Sequence, residues 1–294
     1  MNLRKRSVGS VIFDWCNNIF MLLLCLCMLL PFWFVITGSF ASESEFLRTG
    51  GLIFWNEENS FETYEFLFAE GTIFKSMLLS IVRLALVVPY SLILTTLLAY
   101  VISHEDLPGI KWLMPLLIFF MYFDGGMVPY LQTVKSLGLY DTFAMLVLPT
   151  GCSVYNALIL RNFINTIPKS LSESARLDGA NEMQILFRII LPLCKPSIAT
   201  IGLFVAVGSW NDWFTGIAYM RQDRILPLQT YLRKMISVSQ YDLTSWGADL
   251  RMQPPVPETL KMAAIVLTTL PIVMVYPFVQ KYFVKGLLIG SVKE

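Results

Sequence analysis

Apolar and polar stretches alternate along the chain in long blocks. The apolar runs cover about 19–40, 73–102, 110–122, 143–163, 197–219 and 260–283. Most approach the ~20 residues that an α-helix needs to cross the hydrocarbon core of a bilayer. A helix satisfies its own backbone there, which an open sheet cannot do. The pattern therefore predicts an all-α, polytopic membrane protein with six transmembrane helices. Pro31 predicts a kink in the first run. The third run is short and leads into Phe123-Asp124-Gly125-Gly126-Met127-Val128-Pro129-Tyr130. Gly-Gly followed by Pro predicts irregular backbone near the outer membrane surface. Pro149 and Gly151 fall in the outer half of the fourth run. Arg83, inside the second, is expensive against lipid and is expected to face the bundle interior in an ion pair.

The polar blocks differ in kind. Segment 42–71 carries seven glutamates, Glu43 to Glu70, against Arg48 alone, with Phe54, Trp55, Phe61, Tyr64 and Phe66 interspersed. That mixture predicts an interfacial segment. The loop 166–196 is too charged for lipid and carries helix punctuation. Pro168 and Lys169 open a first helix, and Ser170 with Glu173 has the spacing of a capping box. Asp178-Gly179 ends that helix after about two turns, because glycine readily takes the left-handed C-cap conformation. Asn181 and Gln184 repeat the capping spacing, and a second helix is predicted through Phe187, Ile189 and Ile190 until Pro192 interrupts it. So short a first helix needs a surface to pack against. Leu171 and Ala175 share one face, and the small Ser174 and Ala175 admit close approach. Segment 221–258 reads as a second polar, aromatic block outside the membrane, ending in Pro254-Pro255-Val256-Pro257.

Lysine and arginine set the orientation. With the N-terminus inside, Arg4-Lys5-Arg6, the loop residues Arg161, Lys169, Arg176, Arg188 and Lys195, and Lys281, Lys285 and Lys293 all face the cytoplasm. The acidic segment then lies outside, as the positive-inside bias favours. The first run is nearer a full span than a signal-peptide core, so it is read as a retained helix.

Composition agrees: 55% of residues are hydrophobic, 15% are charged, and the formal net charge of +1 offers nothing to a nucleic acid. Cys16, Cys25, Cys27, Cys152 and Cys194 make no disulfide framework and are expected as buried small hydrophobes. His104, the only histidine, stands beside Glu105 and Asp106 in a predicted solvated loop, and no metal site is expected. No G-x-x-x-x-G-K-[ST], H-E-x-x-H or G-x-S-x-G occurs. A secondary transporter or an intramembrane enzyme remains an alternative class. Trp210, Asn211, Asp212 and Trp213, with Asp124, offer the aromatic and polar chemistry that holds sugars. The same residues also suit an interfacial belt.

Glu173, Ala175, Gly179, Ile189, Leu191 and Pro192 match the pattern E-A-A-x3-G-x9-I-x-L-P, with Ser174 in place of the first alanine. On these residues the chain resembles the permeases of ABC importers, and from about residue 71 onward it is most similar to the smaller permease of maltose-type carbohydrate importers. Trp210-Asn211-Asp212, Met262-Ala263-Ala264, Leu270-Pro271 and Tyr282-Phe283-Val284-Lys285-Gly286-Leu287 support this. Asp124-Gly125-Gly126 resembles the branch that handles complex oligosaccharides, including aldouronates.

The resemblance implies a type I importer fold that works by alternating access, and a heterodimer with a second permease. It also implies two separate ATP-binding subunits that hold ATP and magnesium, an external sugar-binding protein or lipoprotein, and the bacterial plasma membrane with both termini cytoplasmic. No cofactor is implied for this chain. The implied organisation is 1–72 as cytoplasmic segment, first span and outer acidic segment, 73–283 as transmembrane domain with coupling loop 166–196, and 284–294 as cytoplasmic tail. Ser170, Glu173, Ser174, Ala175, Arg176, Leu177, Asp178, Gly179, Ala180 and Glu182 would couple to the ATPase. Gly286, Leu287 and Lys293 in the tail would touch it, and 221–258 would reach toward the binding protein. A permease for a substrate other than sugar is the alternative within the family.

Overall fold

The computed structural model describes residues 8–69, 71–221, 224–238 and 257–291. Among them the regular structure is helical: α1 (Val8–Ser39), α2 (Glu43–Thr49), α3 (Glu62–Ala69), α4 (Thr72–Ser103), α5 (Ile110–Tyr122), α6 (Met127–Ser136), α7 (Phe143–Val147), α8 (Val154–Ile164), α9 (Lys169–Leu177), α10 (Glu182–Ile185), α11 (Leu191–Leu193), α12 (Lys195–Asn211), α13 (Phe214–Tyr219), α14 (Leu228–Val238) and α15 (Pro257–Ser291). Four helices or helix runs are long and apolar enough to cross a membrane by themselves, and up to six spans result if two bent helix pairs each count as one. The basic cluster Arg4-Lys5-Arg6, the Pro254-Pro255 segment and Lys293 lie outside the described residues.

The chain divides into two compact units, 1–70 with 236–270, and 71–235 with 271–294. In the first, α1 stays a single helix through Pro31. Its apolar window has no buried residue, so Cys16, Cys25 and Cys27 are exposed rather than packed. Cys152 is exposed too, and of the five cysteines only Cys194 fits the expectation of burial. At the end of α1 the acidic segment folds into α2 and α3. Trp33 Nε1 donates to the Phe54 carbonyl at 2.8 Å, and Tyr64 Oη donates to Ser39 Oγ at 2.9 Å.

In the second unit α4 packs against α8 and α12. Its buried positions include Ser76, Ser80, Ser91, Thr95 and Ala99, small side chains that let neighbouring helices approach closely. The core comprises Val87, Ala99 and Tyr100 from α4, Ala157, Leu160 and Ile164 from α8, and Ile201 and Val205 from α12. Ile185, Leu186 and Ile190 of the polar loop are buried in the same core.

Two spans are broken. α5 and α6 meet at 111° across Phe123 to Gly126. Gly126 takes φ +84°, as the Gly-Gly-Pro reading anticipates, and its N–H is held by Asp124 Oδ1 at 3.0 Å. The run 197–219, read as continuous, instead ends at Asn211. Asp212 is extended, and α13 restarts at Phe214. The segment after Arg221, read as polar loop, contains α14, which buries Leu228, Tyr231, Leu232 and Met235.

The break at Asp212 meets Arg83, which is 2% exposed. Its Nε donates to the Leu146 carbonyl at 2.8 Å, and its Nη2 to Asp212 Oδ2 at 2.6 Å. Leu146 is near the end of a five-residue helix, and Pro149 three residues on has no N–H to offer it. Asp212 Oδ1 accepts from Thr215 N–H at 3.1 Å at the start of α13. Removing one member of such a pair strands the other charge. Arg83→Leu is therefore expected to lower stability by about 3 kcal/mol. Thermal unfolding in detergent measures this, and adding Asp212→Leu is expected to recover much of the loss.

Candidate functional site

The loop between α8 and α12 carries the helix punctuation of a compact element outside the spans. Pro168 is the residue before α9, so the helix starts at Lys169, and no side chain caps it. Ser170 and Glu173 already lie inside its first turns and do not form the box that their spacing suggests. The second box does form: Asn181 Oδ1 accepts from Gln184 N–H, and Gln184 Oε1 accepts from Asn181 N–H, each at 2.9 Å. Gly179 takes φ +84° directly after Asp178, as expected of a helix end, and the Ala180 N–H returns to the Ala175 carbonyl at 2.9 Å.

Pro192 does not end the second helix. A wide π turn at Leu186–Ile190, in which the Leu191 N–H reaches the Leu186 carbonyl, lies just ahead of it. The chain bends by 84° at Cys194 instead. The 17 residues of α12 alone span about 25 Å, so the segment from Glu182 to Leu193 lies across the span rather than extending it.

The loop has two faces. Inward, Ala175 and Ala180 pack against the helical core. Outward, Leu177 is 90% exposed and Leu171 is 44% exposed, so Leu171 does not follow Ala175 into the core. Ser170, Glu173, Ser174 and Asp178 are also exposed.

Arg176 and Glu182, read as contacts for another subunit, are engaged within the chain. Arg176 Nε donates to Glu182 Oε1 at 2.8 Å, and Tyr100 Oη donates to Glu182 Oε2 at 2.6 Å. His104 is not a free loop residue: its side chain is 23% exposed and sits against Arg176. The nearby carboxylate Glu105 accepts from Arg161 Nη2 at 2.8 Å. Among the described residues no group of three His, Cys, Asp or Glu is arranged to hold a metal ion.

The five residues with sugar-binding chemistry differ in their exposure and partners. Trp210 is buried, and Asp212 is committed to Arg83. Trp213 is 40% exposed with the Arg233 guanidinium 5.2 Å from its ring centroid. Asn211 and Asp124 are exposed. The sequence reading missed Tyr130 and Tyr219, whose rings lie 5.3 Å apart between α6 and α13. Gly286 and Leu287 continue the helix α15, and nothing separates a tail from it up to Ser291.

A helical bundle with two broken spans, and with an amphipathic helix held outside them, defines a multi-pass membrane protein. The chain belongs to the family described as binding-protein-dependent transport system inner membrane component, which matches residues 66–289. It is 42% identical over 285 residues to the polygalacturonan/rhamnogalacturonan transport system permease YtcP of Bacillus subtilis, covering 96% of this chain and 98% of that one. It is 41% identical over 292 residues to LplC of the same organism, covering 99% and 98%. Among solved structures it superposes on a chain of a bacterial ABC transporter involved in import of the acidic polysaccharide alginate. The TM-score is 0.84 and the identity 31%, over 95% of this chain and 99% of that one. The protein is thus a permease subunit of an ABC importer, not an enzyme, and permeases of this family work with a binding protein.

Glu182 supplies a pH test. Hydrogen bonds from Arg176 and then Tyr100 hold its carboxyl down to about 2, below the ordinary 4.5. A depressed carboxylate stabilises fully above its unfolded value and loses that contribution as pH falls through its folded one. The difference in melting temperature between wild type and Glu182→Gln is expected to be constant above about pH 4.5 and to shrink toward pH 2. Thermal scans in detergent across that range check it.

Proposed function

We propose that this chain is one of two permease subunits in an ATP-driven importer of oligosaccharides, with α9 as the coupling helix seated on a separate ATPase. The observation that carries this reading is the outward face of α9. Leu177 is almost wholly exposed on a helix whose other side is built into the core. A large apolar side chain held out in this way on a rigid support suits a cleft on another protein. Ser170, Glu173, Ser174, Asp178 and Gly179 surround it.

The complete assembly would contain a second permease, two ATP-binding subunits that bind ATP and magnesium, and an external sugar-binding protein or lipoprotein. ATP would close the ATPase pair, draw the coupling helices together and open the cavity outward. The membrane would be the bacterial plasma membrane, with both termini cytoplasmic and segment 42–71 outside. The organisation would be 1–72, 73–283 and 284–294, with Gly286, Leu287 and Lys293 near the ATPase. An oligosaccharide is favoured by the relatives' descriptions, which name polygalacturonan, rhamnogalacturonan and alginate. Trp213, Asn211 and Asp124 are the exposed members of the substrate-path set. Trp210 and Asp212 would shape the path from behind.

The test uses the permease pair, ATPase and binding protein reconstituted in proteoliposomes. Leu177→Asp is expected to leave folding within about 0.5 kcal/mol of wild type, as an exposed substitution should. It is also expected to abolish the ATP hydrolysis stimulated by sugar-loaded binding protein. Gly179→Val should act similarly by straining the turn, since a β-branched residue resists φ +84° and no neighbour lies within 4 Å to clash. Unchanged stimulation in both variants overturns the coupling role.

A further inference from the structure

One flank of α9 borders a cavity of about 550 Å³, lined in part by Tyr100, Ser103, His104, Ile164, Lys169 and Arg176. On that flank α9 reaches the ends of α4 and α8 through polar side chains, while Ala175 packs against the core beside it. Packed side chains transmit displacement because they resist compression, and a cavity does not. On that flank, a push on α9 passes through the polar groups that bridge the gap, in addition to the apolar contact of Ala175.

Those groups form a closed ring. Tyr100 Oη donates to Glu182, and Arg176 donates to the same carboxylate from Nε and, at 3.3 Å, from Nη2. Arg176 Nη2 also lies 3.2 Å from His104 Nε2, and His104 Nδ1 lies 2.9 Å from the Tyr100 carbonyl. A guanidinium only donates, so Nε2 must accept. The imidazole is then neutral, with its proton on Nδ1, and donates to Tyr100. The ring returns to the residue where it began. It joins the last turn of α4 to α9 through Arg176 and to α10 through Glu182. Both helices that flank the Gly179 turn are therefore fastened to one span. The Arg161 Nε bond to the Ile102 carbonyl, 2.8 Å, fixes that end of α4 to α8.

We propose that this ring is a strut that makes the loop helix and α4 move together, and that Tyr100 and His104 are positioning residues for transport. Without the strut, displacement of α9 is absorbed in the turn at Gly179 instead of tilting α4. The inference rests on the coupling reading of α9, and it assigns to the second span the role of first receiver of the motion.

The experiment measures sugar imported per ATP hydrolysed in proteoliposomes holding the full complex, with the amount of co-purified ATPase recorded for each variant. Tyr100→Phe removes one hydroxyl and is expected to keep the ATPase bound while lowering sugar per ATP roughly threefold or more, the factor a single lost hydrogen bond carries. Adding Glu182→Gln to Tyr100→Phe should lower the ratio by less than the two separate losses combined, because both act through one ring. His104→Gln, whose amide oxygen can still accept from Arg176, is expected to retain more of the ratio than His104→Leu. A purely packing role would not separate those two. An unchanged ratio in Tyr100→Phe and His104→Leu, with ATPase bound, overturns the strut while leaving the coupling helix standing. A wild-type complex that shows no ATP-dependent uptake overturns the transport reading, and the strut falls with it.

Discussion

The second unit depends on one buried cation. A guanidinium inside a helical bundle is costly unless its donors find partners, and Arg83 finds them for Nε and Nη2 on two other spans. Leu146 lies near the end of the short helix α7, and Asp212 lies in the extended break after α12. Such a break would be costly in an apolar setting if its polar groups were unpaired. The break at Asp212 is sustained in part because Arg83 donates to its carboxylate. Charge and irregular backbone stabilise one another, and neither would persist alone.

The same logic separates what the sequence made legible from what it did not. Span lengths were readable because lipid thickness imposes a length on apolar runs, and the Gly125-Gly126 break was readable because glycine announces unusual backbone. The inward placement of Arg83 followed from the cost of a charge in lipid. Its partner did not, since Asp212 lies 129 residues away and no local pattern pairs them. The break at Asp212 was hidden because no proline or glycine marks it. In α14 the signal was present: Leu228, Tyr231, Leu232 and Met235 stand at i, i+3, i+4 and i+7, a helical face within a segment judged by its polar composition.

For the loop helix, punctuation fixed the ends better than the caps. Gly179 and the Asn181–Gln184 box behaved as their types require. Ser170 and Glu173 did not, because proline at 168 starts the helix earlier and places both residues beyond capping reach. Arg176 and Glu182 looked like contacts for another protein because both are charged and lie on an exposed loop. Within the chain they pair with each other and with Tyr100 and His104 at the end of α4, which sequence distance conceals.

The π turn at Leu186–Ile190 gives the loop an angular register of its own. An α-helix turns by about 100° for each residue, so a widened turn behaves as one residue inserted without lengthening the axis much. The turn thereby sets the register between α10 and α11: Ile185 and Leu186 are buried while Phe187 and Leu193 stay exposed. A loop of the same composition but one residue shorter at this point would present a different side of itself to its surroundings. In this chain, the length of the loop is as much a part of its surface as the residues it displays.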